Sequence, residues 1–137
     1  MKQRGVIYNI GCKTCGSQYI GETAQLLEDR IKGHKGMVNS AMKYPEKPKK
    51  NGIAEHIRSN QDHEINWDET KILAMESSTR RRKTKEGIFI QSTEGRRHLM
   101  NLDSGNQCDP SYWGNELRSI YYKEIKHNMM GENPRMR

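Results

Sequence analysis

The chain is predicted to be an α+β domain in which a small three-stranded antiparallel sheet is flanked by helices. Three observations predict it. Two short runs of β-branched and aromatic residues, Gly5-Val6-Ile7-Tyr8 and Tyr19-Ile20-Gly21, are separated by a stretch that Gly11 and Gly16 punctuate. That is the pattern of a β-hairpin with a long turn. Leu27, Ile31 and Val38 then recur at helical spacing. Downstream, Lys71-Ile72-Leu73-Ala74 begins with strand-like alternation, and Ile65-Asn66-Trp67 leads into it as the third strand.

The first helix is expected from about Ala24 to near Ala41, with Thr23 as its N-cap. Arg30 and His34 are four residues apart and so lie on one face, one turn from each other. Arg30 borders the stripe of Leu27 and Ile31, where an arginine needs a partner or a function. It either snorkels to solvent or presents its planar donors to a phosphate. Residues Lys43 to Asn51, rich in proline and lysine, form an exposed loop. A short helix over Ile53 to Arg58 follows.

Ser77, Ser78 or Thr79 can cap a later helix that continues through Ile88, Phe89 and Ile90. It opens with Arg80-Arg81-Arg82-Lys83-Thr84-Lys85, directly before Glu86. The plain reading of Glu86 is an ion pair with Arg82 within the helix. The functional reading is a carboxylate that holds Mg²⁺ through an incomplete protein shell, with Arg80, Arg81, Arg82, Lys83 and Lys85 on flanking phosphates. Pro110-Ser111-Tyr112-Trp113 is expected to anchor packing. Leu117, Ile120, Tyr121 and Ile125 give a final helix, Asn115 to His127, one apolar side ahead of a basic tail.

At 137 residues the chain is one domain by length. Only 32% of it is hydrophobic and its mean hydropathy is −1.07, so the core must be modest. The net charge of +7 points to a polyanionic partner, nucleic acid before an acidic membrane surface. A merely solvated basic surface is the bland alternative. No apolar run reaches membrane-spanning length. Met1-Lys2-Gln3-Arg4 runs straight into the first strand, so no signal peptide is expected.

Three cysteines without a secretory signal argue against a disulfide framework. Cys12 and Cys15 have the C-x-x-C spacing that brings two thiolates to one tetrahedral zinc. His56 and His63 are the natural second half, while His34, His98 and Cys108 remain alternatives. A redox C-x-x-C would sit at the start of a helix after a strand, not in a hairpin turn.

The order Gly5-Val6-Ile7-Tyr8, Tyr19-Ile20-Gly21, Arg30, His34, Glu86 and Asn101 resembles the GIY-YIG endonuclease superfamily. The finer resemblance is to the endonuclease domain of Penelope-like retroelements. It rests on Cys12-x-x-Cys15 in the hairpin turn, Tyr19-Ile20-Gly21-Glu22-Thr23, Ala54-Glu55-His56, His63-Glu64-Ile65-Asn66-Trp67 and Arg80 through Glu86. It covers about Gly5 to Trp113. The resemblance implies a GIY-YIG nuclease fold with a zinc-binding insertion held by Cys12, Cys15, His56 and His63. It implies a catalytic set of Tyr8, Tyr19, Arg30, His34 and Glu86, with Glu86 as the ligand of Mg²⁺ or Mn²⁺ and Asn101 as a support from a neighbouring segment. It further implies a target DNA duplex, a reverse transcriptase domain in a parent polyprotein and a nuclear location. Within that picture Tyr8 positions or deprotonates the attacking water, and His34 relays the proton because imidazole titrates in the useful range. Two other functions fit parts of the sequence: a non-catalytic zinc-bearing nucleic-acid-binding module, and a repair or restriction nuclease of the same superfamily.

Overall fold

The computed structural model describes residues 3–93 and 99–102. Elements run in the order β1 (Val6–Cys12), β2 (Gln18–Thr23), α1 (Leu27–Lys43), α2 (Gly52–Ser59), β3 (Ile65–Met75) and α3 (Thr79–Thr93). The expected final helix at Asn115 to His127 and the anchor at Trp113 lie outside the described residues, as do His98 and Cys108.

The three strands form one antiparallel sheet in the order β2-β1-β3, with the first strand in the middle. β1 is buried along nearly its whole length, polar Asn9 included, because both of its faces are covered. Val6, Tyr8 and Ile10 pack with Leu27, Ile31 and Val38 of α1 and with Ile53 and Ile57 of α2. On the opposite face Ile7 packs with Ile20, Leu73, Ala74 and the Ile88-Phe89-Ile90 run of α3. The period-two alternation of a single strand thus feeds two cores.

β2 pairs with β1 in the register Tyr8↔Gly21 and Ile10↔Tyr19. Opposite Tyr8, a Cβ on Gly21 would fall 2.5 Å from the Tyr8 ring and hydroxyl. Gly21 lacks a positive φ, so the position needs space, not backbone freedom. The turn between the strands is closed by Gly16 at φ 79° and by the Cys12 amide, which donates to the Ser17 carbonyl at 2.7 Å.

Two boundaries differ from expectation. Thr23 does not cap α1: it is the last residue of β2, and its Oγ1 accepts the Gln25 amide at 3.0 Å. The helix starts at Leu27, whose amide donates to the Gln3 carbonyl at 2.8 Å, so the chain itself satisfies a group that a side-chain cap would otherwise serve. β3 is also longer than the four-residue strand expected, since Ile65-Asn66-Trp67 belongs to it. Its register against β1 shifts between Asn9↔Lys71 and Gly11↔Asn66, where β3 carries the extra residues of a bulge. Thr70 Oγ1 donates to the Trp67 carbonyl inside that bulge. Of the three caps expected for α3, Ser78 serves, its Oγ accepting the Arg81 amide, and Asn51 at the end of the loop caps α2, its Oδ1 accepting the Ile53 and Ala54 amides.

Candidate active site and metal centre

The two tyrosines meet because β1 and β2 are paired and both point them toward α1. Their ring centroids are 6.3 Å apart. α1 supplies the rest of the cluster. His34 is fully buried, and its Nε2 lies 2.7 Å from the Tyr8 hydroxyl. Arg30, one turn earlier on the same face, donates from Nε to that hydroxyl at 3.3 Å. The Tyr19 ring stands edge-on to His34 with centroids 5.3 Å apart. Glu86 comes from α3, close enough for its charge to act on Tyr8. Tyr19, Arg30 and His34 therefore surround the Tyr8 phenol, and the Glu86 charge reaches it.

Asn101 takes a different place. Its Nδ2 donates to the Ile20 carbonyl at 2.7 Å, and its Oδ1 accepts the Ile20 amide at 2.9 Å. A side-chain amide here imitates a strand partner on the outer edge of β2, beside Tyr19. The Met100 amide extends the same edge by donating to the Gln18 carbonyl at 2.6 Å.

Burial decides the protonation of this cluster. It pushes the Tyr8 phenol well above its ordinary range; the Tyr19 and Glu86 charges add to the rise, and the Arg30 guanidinium offsets only part of it. Burial, then the Arg30 charge, lowers His34 to about 4, with a small opposing influence from the Asn51 side chain. Asn51 Oδ1 is already occupied by two helix amides, and His34 Nδ1 has no hydrogen bond among the described residues. Neutral His34 corrects the expectation that it titrates near neutrality. Arg30 donates to the phenol oxygen, and the same hydroxyl shares a hydrogen bond with His34 Nε2. Burial lowers the Arg30 value, but Tyr8, Tyr19 and Glu22 outweigh it and hold the guanidinium above its ordinary value, fully charged.

The depressed histidine has a measurable consequence. Between its unfolded value of about 6.5 and its folded value of about 4, the folded state binds fewer protons, so stability falls as pH falls through that window. The full shift corresponds to about 3 kcal/mol. Urea midpoints of wild type and His34→Gln, each compared between about pH 7 and about pH 4.5, should show wild type losing more. Equal losses would mean that His34 is charged in the folded protein.

The basic run at the start of α3 divides. Arg80, Arg81 and Lys83 are exposed, as a phosphate-binding surface requires. Arg82 is not: it is 2% exposed, and its Nε donates to Glu22 Oε1 at 2.6 Å. This corrects both expectations for it, the DNA contact and the intrahelical pair with Glu86. Lys85 pairs with Glu76 at 3.4 Å. In the sequence Glu22 stands only within the Tyr19–Thr23 motif, and no local signal assigns it a partner sixty residues away.

A second cluster lies at the far end of β1. Cys12 closes β1, Cys15 sits in the hairpin turn, His56 is on α2, and His63 precedes β3. Their ligand atoms all lie within 4.8 Å of one another, a group that can hold a metal ion. Cys12 Sγ is 3.6 Å from His63 Nδ1, Cys15 Sγ is 3.5 Å from His56 Nε2, and the two histidine nitrogens are 3.2 Å apart. Backbone contacts fix the arrangement: Lys13 donates to the Glu64 carbonyl at 2.7 Å and Thr14 Oγ1 accepts the Glu64 amide at 3.0 Å. The Cys15 thiol is shifted down: burial would raise it, but its hydrogen bonds with Ser17, the one between Sγ and the Ser17 hydroxyl first, outweigh that. Of the alternatives left open by the sequence, His34 belongs to the tyrosine cluster instead.

Compared with protein families, with curated proteins and with solved structures, the chain matches none.

Proposed function

We propose that this chain is a Mg²⁺-dependent DNA endonuclease of the GIY-YIG type, which nicks target DNA for a Penelope-like retroelement. One observation carries the reading: Tyr8, Tyr19, Arg30 and His34 converge on a single buried hydroxyl, within electrostatic reach of Glu86. A hairpin that only packs its aromatics has no need of a guanidinium and an imidazole on the same phenol.

The chemistry follows from hydrogen-bond capacity. A phenol has one proton and two lone pairs. Tyr8 directs its proton to His34 Nε2 and one lone pair to Arg30. The remaining lone pair accepts a proton from the attacking water. As that proton arrives, the phenol proton passes to neutral His34, so no free tyrosinate forms. Burial opposes both a tyrosinate and a lasting imidazolium. His34 therefore gives the proton up to solvent as the P–O3′ bond breaks, and the 3′ oxygen is protonated in turn. Arg30 keeps its Nη donors for the non-bridging phosphate oxygens and offsets the charge that builds there. Glu86 would hold the divalent ion, which supplies Lewis-acid stabilisation of the leaving oxygen. Arg80, Arg81 and Lys83 bind flanking phosphates.

The second cluster is read as a structural zinc site. Zn–N bonds of about 2.0–2.1 Å and Zn–S bonds of about 2.3 Å in a tetrahedron give N···N edges of about 3.3 Å and S···N edges of about 3.6 Å. The observed N···N distance is 3.2 Å and the S···N distances are 3.5 and 3.6 Å.

The test is conversion of supercoiled plasmid to open circle with Mg²⁺, comparing wild type with Glu86→Ala. Wild type is expected to nick and the variant to lose the activity. Equal nicking by both would remove Glu86 from the mechanism. A folded, DNA-binding wild type that does not nick would instead identify a zinc-bearing nucleic-acid-binding module.

A further inference from the structure

The part of α3 that carries Glu86 has no hydrophobic anchor. Residues 79–86 read Thr-Arg-Arg-Arg-Lys-Thr-Lys-Glu, and the buried apolar side chains of the helix, Ile88, Phe89 and Ile90, all come after Glu86. Burial of an apolar stripe therefore cannot locate this part of the helix against the sheet.

Arg82 takes over that task. Besides Glu22, it reaches the Glu76 and Ser77 carbonyls from Nη1, each at 3.2 Å, and Thr79 Oγ1 from Nη2 at 3.1 Å. One guanidinium thus fastens α3 to the end of β2 and to the turn that follows β3. The Lys85–Glu76 pair ties the helix to that same turn. The planar fork makes the attachment directional, which a lysine ammonium would not. Arg82 and Glu86 are four residues apart on one helix face, so a displacement of Arg82 carries Glu86 with it.

We propose that Arg82, with Glu22 as its counter-ion, is the positioning residue for Glu86 and holds that carboxylate beside the Tyr8 cluster for metal binding. The proposal rests on the reading of Glu86 as a metal ligand. It places one of the five cations of the basic run inside the protein for a purpose distinct from phosphate contact. It also gives the glutamate after Gly21 a function: Glu22 lies one residue from the glycine that makes room for Tyr8, and its charge is felt at Arg30.

Mn²⁺ titration of the zinc-loaded full chain, followed by the Mn²⁺ EPR signal, tests this without any turnover. The proteins are wild type, Glu86→Gln, Arg82→Gln, Glu22→Gln and the Glu22→Gln/Arg82→Gln double variant. Arg82→Gln and Glu22→Gln are each expected to weaken Mn²⁺ binding about tenfold, the range seen when contacts that orient a ligand are lost. The double variant is expected to bind no more weakly than the worse single variant, because both substitutions break the same contact. Arg82→Gln keeps an amide donor for the Glu76 and Ser77 carbonyls. If it nevertheless fails to fold, Glu22→Gln decides alone, since it leaves the other Arg82 contacts in place. Wild-type Mn²⁺ affinity in the folded single variants overturns the proposal, and so do losses that add in the double variant. If Glu86→Gln also binds like wild type, the assignment of Glu86 as ligand has failed and takes the proposal with it. If Glu86→Gln alone loses binding, only the role of Arg82 and Glu22 has failed.

Discussion

Withholding metal from the Cys12, Cys15, His56 and His63 group, proposed above as a zinc site, is expected to unfold or severely loosen the domain. The four ligands join the end of β1, the hairpin turn, α2 and the approach to β3. Without an ion, two thiol groups and two imidazoles remain close together with only weak mutual contacts. Free zinc a thousandfold above its dissociation constant stabilises a folded state by about 4 kcal/mol through linkage. That is a large share of the roughly 5–15 kcal/mol that holds an ordinary domain together. A strong chelator should therefore lower the melting temperature by many degrees, and Cys12→Ser should do so even with zinc present. Cobalt substitution should give the visible absorption of a tetrahedral thiolate site. A melting curve indifferent to chelator, with no cobalt spectrum, would reduce the cluster to two thiols and two surface histidines.

Gly21→Ala is expected to damage the tyrosine cluster directly. The added methyl would occupy space held by the Tyr8 ring, 2.5 Å away. Tyr8 is fully buried and its hydroxyl is held by both His34 and Arg30, so the ring cannot move without loosening both contacts. Overpacking of this kind costs about 1–3 kcal/mol. A displacement of about 1 Å in reacting groups can lower a rate about a hundredfold, and nicking should fall by that order. Denaturant midpoints and plasmid nicking measure the two effects separately. Gly33→Ala is the control: its Cβ meets no atom within 4 Å, and the helix should gain about 0.5–1 kcal/mol. A Gly21→Ala protein with wild-type stability and activity would show that the phenol relocates without penalty.

The hairpin, α2 and the cap of α3 were legible because each depends on neighbours in sequence. Strand character, Asn51 ahead of Ile53 and Ser78 ahead of the basic run are local signals. The start of α1 was not, because Thr23 is a good cap by type but is recruited into β2 by pairing with Val6. β3 was read short because its bulge breaks the alternation on which strand reading depends. The metal ligands could be picked out from the C-x-x-C spacing, yet nothing local brings His56 and His63 to that turn. Arg82 was the hardest. A run of cations reads as uniformly exposed, and only the packing of α3 against β2 turns one of them inward. His34 was placed correctly on the helix face with Arg30, but the depth of its burial, which sets its charge, depends on the whole α1–sheet interface.

The sheet's two outer strands bear on how copies of this chain treat one another in concentrated solution. An edge strand offers unpaired amides and carbonyls to any neighbour and can seed aggregates. On β2 the Met100 and Asn101 contacts occupy that edge from within the same molecule. On β3 the bulge and the exposed Asp68, Glu69 and Lys71 break up a straight template and present charge to an incoming strand. A domain this poor in apolar residues is thereby guarded at both margins, so concentrated copies meet without an open strand to exchange.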